Sequence, residues 1–372
     1  MSAHIDSPDD YRGSAPRTTR ALHDWHALSA APEALEPRMP IVDAHHHLFG
    51  APEDALHYRL DDLRADLGGG HNVIGTVYME AYESGWRATG PQALRPVGEV
   101  ERIVGLTGSS VKTAQGECRI AAGIVASADL CLGDAVTEVL EAELAAGNGR
   151  LRGVRHHAAT DDGTVGRFIK NRPRPRLLGE ASFRQGFARL SRFGLSFDAW
   201  IYHPQLDELI DLADAFPDTT IVLDHAGAVI GVAEYRSRRA EVLAFWEQRI
   251  RELARRPNTR VKIGGMGMPV FGFGFGRAER PPNSTELSQA WKPFIDTCID
   301  AFGTSRCLFE SNFPVDKQSC SYTELWNAFK LATISLSQDE RADLFYRTAC
   351  RTCRLPDLEA IGDRWLATSG SI

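Results

Sequence analysis

Eight apolar, β-rich runs recur along the chain, at 41–45, 73–79, 119–125, 151–156, 195–201, 220–224, 259–264 and 306–310. Amphipathic segments lie between them, at 134–146, 183–193, 205–216, 236–256 and 288–302. Runs with little alternation, such as Val73-Ile74-Gly75-Thr76-Val77-Tyr78-Met79, suit strands buried on both faces. Strands alternating with helices predict parallel βαβ units. Eight such units predict an α/β fold of the (β/α)8 TIM-barrel type. An open doubly wound sheet is the main rival, but no G-x-G-x-x-G follows the first run, which weakens a dinucleotide site. The 372 residues are within the range of one such barrel. Residues 1–38 read as an N-terminal extension, polar at first and helical near 18–28, and residues 39–372 as the barrel. Two long segments interrupt the alternation, 83–117 and 264–290. The second carries the Gly/Phe-rich stretch Gly264 to Gly276, which reads either as the lining of an apolar pocket or as a packed loop.

Charge and cysteine usage narrow the function classes. The formal net charge is −7, so bulk charge argues against a nucleic-acid partner. The most basic stretch, 170–176, contains Pro173 and Pro175 and reads as an exposed loop. No run of 18 apolar residues is present, so no membrane span is expected. The first 20 residues lack the apolar core of a signal peptide, and a cytoplasmic location is expected. Seven cysteines fit reduced thiols better than a disulfide framework. Cys350 and Cys353 form a C-x-x-C without a second pair, and read as adjacent turns of a terminal helix.

Chemistry concentrates where the runs end. The first ends in Asp43-Ala44-His45-His46-His47. On a strand His45 and His47 share one face and His46 takes the other. Two imidazoles on one face can grip a divalent metal, with zinc favoured over Mg or Ca. The blander reading is a His-rich strand end held by hydrogen bonds alone. Glu80, Arg155-His156-His157, Tyr202-His203, Asp224-His225, Lys262, and Glu310-Ser311-Asn312 with Asp316 mark the ends of later runs. A barrel enzyme builds its site from the C-terminal ends of its strands. Any one of these residues could be an ordinary loop residue; their joint placement is the signal.

The ordered motifs resemble the amidohydrolase superfamily, in its amidohydrolase-2, lactonase-like branch. They are Asp43-Ala44-His45-His46-His47, Trp200-Ile201-Tyr202-His203-Pro204-Gln205-Leu206, Val222-Leu223-Asp224-His225-Ala226-Gly227 and Phe309-Glu310-Ser311-Asn312-Phe313-Pro314-Val315-Asp316, and the resemblance spans 38–355. It implies that His45, His47, His203 and His225 converge as metal ligands. The family's eighth-strand aspartate, ligand and proton shuttle, falls on Asn312. An amide cannot act as a carboxylate base. No lysine stands in the place of the family's bridging residue, so a single metal is expected rather than two.

The resemblance implies a metal-dependent hydrolase, most simply one opening a lactone or related cyclic ester of a carboxylate by activated water. One divalent ion, most simply Zn²⁺, is the expected cofactor. Expected catalytic residues are His203, His225, Glu310 and Asn312. Glu80, Arg155, Tyr202, Lys262 and Asp316 are expected to bind substrate, Arg155 and Lys262 through a carboxylate. The proton acceptor is open among Glu80, Glu310, Asp316 and His225. Against these stand structural readings: Glu310 paired with Arg155 or Lys262, Arg155 and Lys262 paired with Glu80 or Glu310, and Tyr202 packed in the core beside Trp200. Asp224 is expected to turn away from His225 and serve structure. Alternatives of function are a metal-free lactonase with the same site, a decarboxylase or hydratase of an unsaturated ring-cleavage acid, and a barrel that only binds its ligand. The expected partner is a small molecule, a carboxylate-bearing lactone, and the reading leaves room for a homo-oligomer.

Overall fold

In a computed structural model, which describes residues 11–369, all eight runs form parallel strands of a nearly closed (β/α)8 barrel. The strands are β1 (Pro40–His46), β2 (Asn72–Met79), β3 (Val111–Thr113), β4 (Gly116–Ser127), β5 (Leu151–Arg155), β6 (Ser196–Ala199), β7 (Ile221–Leu223), β8 (Thr259–Ile263) and β9 (Cys307–Phe309). Their order is β1-β2-β4-β5-β6-β7-β8-β9, with β3 pairing antiparallel to β4 outside that path. The principal helices are α1 (Thr19–His26), α2 (Leu60–Leu67), α3 (Val97–Leu106), α4 (Val136–Ala146), α5 (Ala181–Phe187), α6 (Leu206–Ala215), α7 (Arg239–Leu253), α8 (Ser284–Phe302), α9 (Tyr322–Ala332), α10 (Gln338–Ala342), α11 (Thr348–Thr352) and α12 (Pro356–Ser369). Among the described residues no helix is long and apolar enough to cross a membrane.

The segment 83–117, which read as an insertion, holds α3, the helix of the second unit, and β3. Gly85, Gly90, Pro91 and Pro96 ahead of it hide its start. Glu99, in its first turn, is buried and accepts from Tyr78 Oη at 2.7 Å and Ala81 N at 2.6 Å, so α3 is pinned to the end of β2.

The barrel closes between β1 and the segment after β9. His47 N donates to Phe313 O at 2.7 Å, and Asn312 N donates to His45 O at 2.9 Å. Asp43, with no exposure, accepts from Ser311 N at 2.8 Å and from Tyr322 Oη at 3.0 Å. The seam therefore runs through the motif residues themselves. Residues 11–28 pack across the loops after β8 and β9. Arg17 N donates to Gln318 Oε1 at 2.8 Å, and Trp25 Nε1 donates to Ala278 O at 3.1 Å.

Candidate active site

His45 and His47 face each other, their Nε2 atoms 3.1 Å apart, while His46 turns away to Thr76 Oγ1 at 2.8 Å. The other nitrogen of each ring fixes its tautomer. His47 Nδ1 lies 3.0 Å from both Met79 O and Glu80 O, and carbonyls only accept, so the proton of His47 sits on Nδ1. His45 Nδ1 lies 2.8 Å from Glu310 Oε2 and 3.7 Å from Asp224 Oδ1, and two carboxylates draw its proton to Nδ1 as well. Both Nε2 atoms then present lone pairs to one another. Two acceptors at that distance call for a cation between them, either a proton or a metal ion. Tetrahedral ligands about 2.0–2.1 Å from zinc lie about 3.3 Å apart, close to the separation found. Burial is the largest effect on the His45 imidazole and pushes its pKa down, but Glu310 and Asp224 together bring it above the ordinary value. His47 is held well below the usual value by burial and by the neighbouring His45.

Glu310 serves two rings. Its Oε1 accepts from His225 Nδ1 at 2.6 Å and His225 N at 3.1 Å, while Oε2 faces His45. Burial would raise its pKa, but His225 and then His45 bring it down to about 2. The geometry that allows this is a left-handed coil after β7, with φ of 56° at His225 and 51° at Ala226. Such angles are costly for non-glycine residues and collect at functional sites. They bring the backbone and ring of His225 to one carboxylate oxygen. His45, His225 and Glu310 offer ligand atoms within 4.8 Å of one another.

Behind these rings runs a buried chain of charges. Lys262 Nζ pairs with Asp198 and, at 3.1 Å, with Asp224. Arg155 Nη1 reaches Asp224 at 3.5 Å, and its Nε reaches Glu80 Oε1 at 2.6 Å. Four buried carboxylates, Glu80, Asp198, Asp224 and Glu310, thus face two permanent cations, Arg155 and Lys262. The surplus of carboxylates leaves negative charge beside the imidazoles, where a metal ion or an imidazolium would balance it. Buried charge is costly unless balanced. The donor set and the charge both fit such an ion.

Asn312 takes φ of 54°, a region that asparagine tolerates better than most residues. Its Nδ2 donates to Asp316 Oδ1 at 3.0 Å, and Gly267 N donates to Asp316 Oδ2 at 2.8 Å. Burial pushes the Asp316 carboxyl up to about 8, against the lowering effect of these bonds. Glycines make room for the cluster. A Cβ on Gly265 would lie 2.4 Å from His225 Nδ1, one on Gly264 2.3 Å from Glu310 Cγ, and one on Gly267 2.9 Å from Asp316 Cγ.

The structure thus gathers His45, His47, His225 and Glu310, with Glu80, Arg155, Asp224 and Lys262 behind them. His203 makes its contacts elsewhere: its Nδ1 accepts from Ile230 N at 3.2 Å and its ring packs on Tyr235 and Phe245. Among the described residues His45, His225 and Glu310 form one ligand-atom group, and His47 joins it through His45. Arg155 pairs with Glu80, as its structural reading has it, whereas Lys262 pairs with Asp198 and Asp224 rather than with Glu80 or Glu310. Glu310 pairs with neither cation directly but with the two imidazoles. Tyr202 packs against Trp200, whose ring also lies 4.9 Å from His225. Phe273 stacks on Phe271 and on Phe275, and Phe271 and Phe273 meet Phe294 of α8 edge-on, as a packed loop. Asp198, inside an apolar run, went unnoticed in the sequence.

A cavity of about 700 Å³ opens beside the cluster, over the C-terminal ends of β2, β4 and β5. Tyr82, Trp86, Ser127, His156, His157 and Arg174 help to line it. His157 joins cavity to cluster, its Nε2 3.6 Å from Glu80 Oε1. The volume is that of a small-molecule site.

A sequence profile of the family described as amidohydrolase matches residues 42–355. An uncharacterized protein of Sinorhizobium fredii, y4mH, is 28% identical over 327 residues, 85% of this chain and 98% of its own length. An L-fucono-1,5-lactonase of Burkholderia multivorans is 30% identical over 209 residues, 56% of this chain and 64% of the lactonase. The crystal structure of an amidohydrolase from Burkholderia multivorans with bound HEPES is 25% identical with a TM-score of 0.64, and covers 85% of this chain and 99% of that one. A second crystal form of that protein, with bound zinc, gives a TM-score of 0.62.

Proposed function

This chain belongs to the amidohydrolase family, in its amidohydrolase-2 branch, and is a hydrolase; we propose that its reaction is the opening of a small sugar-acid lactone by water. The observation that carries the lactone is the 30% identity to an L-fucono-1,5-lactonase. We assign His45 Nε2 and His47 Nε2 as the atoms that hold a divalent metal, zinc being the ion bound in the solved relative. When bound, such an ion polarises a carbonyl and acidifies water.

His225 takes the proton. Its Nδ1 is held by Glu310, which leaves Nε2 as the basic atom of the ring. Glu310 orients the base and is itself a poor proton acceptor, because His225 and His45 bring its pKa down to about 2. Glu80 is likewise tied, by Arg155 and by Tyr82 N at 2.9 Å. Water adds to the lactone carbonyl carbon as its proton passes to His225 Nε2. The bond from that carbon to the ring oxygen then breaks, and the ring oxygen leaves as a hydroxyl with the proton from His225. The product is a hydroxy acid. The cavity lined by Tyr82, Trp86 and His157 holds the rest of the substrate.

A panel of sugar-acid 1,4- and 1,5-lactones, followed by acid release, tests this. We expect turnover of at least one, and a fall of about 10²–10⁴ in kcat for His225→Asn with little change in KM. No turnover of any lactone, together with CO₂ release from an unsaturated acid, would replace the proposal with decarboxylation.

A further inference from the structure

We propose that a cavity at the opposite pole of the barrel binds a phosphate-bearing small molecule. It encloses about 590 Å³ among the N-terminal ends of β4 and β5, the end of α3 and the start of α12. Arg119, Arg150, Arg152 and Arg354 line it, against two carboxylates, Glu117 and Asp357. The chain as a whole carries a net charge of −7, so this concentration of guanidinium is local and not a general property of the surface.

The usual role of that pole in a barrel is stability. Stability accounts for some of these arginines and not the others. Arg150 is consumed by structure, donating to Thr107 Oγ1 at 2.8 Å, Val104 O at 3.0 Å and Ala121 O at 3.3 Å. Arg119 pairs with Asp357 at 3.3 Å on the rim. Arg152 and Arg354 have no carboxylate partner among the described residues. Arg152 Nη1 donates to Gly149 O at 2.7 Å and Leu151 O at 3.0 Å, while its Nε is buried without an acceptor. Arg354 Nη2 donates to the backbone carbonyl of Arg152 at 3.2 Å, near enough for its charge to act on Arg152. Its backbone sits at φ of 51°, a strained angle for arginine. Burial and the charge of Arg354 both disfavour the charged form of Arg152, a cost that a bound anion would relieve.

Guanidinium groups here converge from β4, β5 and the turn before α12. A carboxylate takes one planar fork, whereas a phosphate offers three oxygens in three directions and up to two charges. Ile120, Leu355 and Leu358 supply apolar wall, and the volume exceeds a bare phosphate, so the remainder of an organic phosphate has a place.

The test is calorimetric titration of the full chain with pyrophosphate and inorganic phosphate, with citrate as a carboxylate of similar charge. Pyrophosphate should bind most tightly and weaken with salt. Arg152→Gln should lower that affinity by about 10–100-fold, the range for loss of one charged hydrogen-bonding partner. Arg119→Gln, at the exposed rim, should lower it about tenfold and serves if the first variant fails to fold. Lactone hydrolysis and the circular dichroism spectrum should stay at wild-type values in both, since the site lies at the other pole. Absence of binding at 5 mM pyrophosphate, equal binding of citrate, or unchanged affinity in both variants would overturn the proposal.

Discussion

Replacing Glu310 by glutamine keeps the shape of the side chain and removes what the two imidazoles share. One carboxylate oxygen accepts from His225 Nδ1 at 2.6 Å, and the other lies in ion-pair contact with His45 Nδ1 at 2.8 Å. An amide offers one acceptor atom, its oxygen, and one donor atom, its NH2 nitrogen. One ring must then move its proton from Nδ1 to Nε2 and lose the lone pair that points into the site. The charge is lost as well. The carboxylate lies about 6–7 Å from an ion on His45 Nε2, allowing for the contact, the ring and a bond of about 2 Å. At an effective dielectric of about 20, one charge at that distance contributes roughly 2.5 kcal/mol. That corresponds to about 70-fold in affinity, within the 10–100-fold range seen when a partner behind a metal-ligating histidine is removed. Competition for zinc against a chelating indicator measures it, and lactone hydrolysis at saturating zinc separates lost metal from lost base. If Glu310→Gln holds zinc within about threefold of wild type and keeps its kcat, the shared-carboxylate argument is wrong.

Three further outcomes follow from the same geometry. Gly265→Ala places a Cβ 2.4 Å from His225 Nδ1 at φ of 66°, and should lower kcat/KM by about 100-fold or more while costing at least 1–2 kcal/mol of stability; near-normal kinetics would show that the ring can move aside. Glu143 of α4 is buried with both carboxyl oxygens unpartnered, and burial, then Glu99, holds its pKa well above 4.5. A raised folded pKa gives stability that is full below the unfolded value and is lost as pH rises through the folded one. Glu143→Leu should therefore stabilise by about 1–3 kcal/mol at pH 8 and flatten the decline from pH 5 to 8 in urea melts, whereas parallel curves for the two proteins would refute it. Dialysis against a chelator should abolish turnover and zinc should restore it; full activity without metal would favour the metal-free alternative.

The strands were legible because each lies in the barrel wall and is apolar on both faces, so no alternation confused the count. The face shared by His45 and His47 was legible for the same reason, through the two-residue repeat. His225 and Glu310 were harder. Counting along the strand placed Glu310 near Asn312, but its partners depend on the left-handed coil at 225–226, which no strand rule anticipates. Asp198 was hidden by its apolar neighbours Phe197 and Ala199, and only the ion pair with Lys262 shows why a carboxylate sits there. The glycines at 264, 265 and 267 read as a loop signal. Their purpose is absence of side chain, which is visible only once His225, Glu310 and Asp316 are packed against them. The ring of His203 follows a strand end as expected, yet it accepts from Ile230 N and packs on Tyr235 and Phe245, contacts that no strand rule supplies.

The seam that closes the barrel has a consequence for how the protein is made. Asp43 and Ser311 are 268 residues apart in sequence and meet through one hydrogen bond beside the histidines. A ribosome adding about 5–20 residues per second separates their appearance by roughly 13–54 s. Throughout that interval the nascent chain exposes His45 and His47 without the segment that shapes their surroundings. Metal capture that depends on Glu310 must therefore wait until synthesis is nearly finished, and a chain cut short before residue 310 would carry most of the barrel and none of the completed centre.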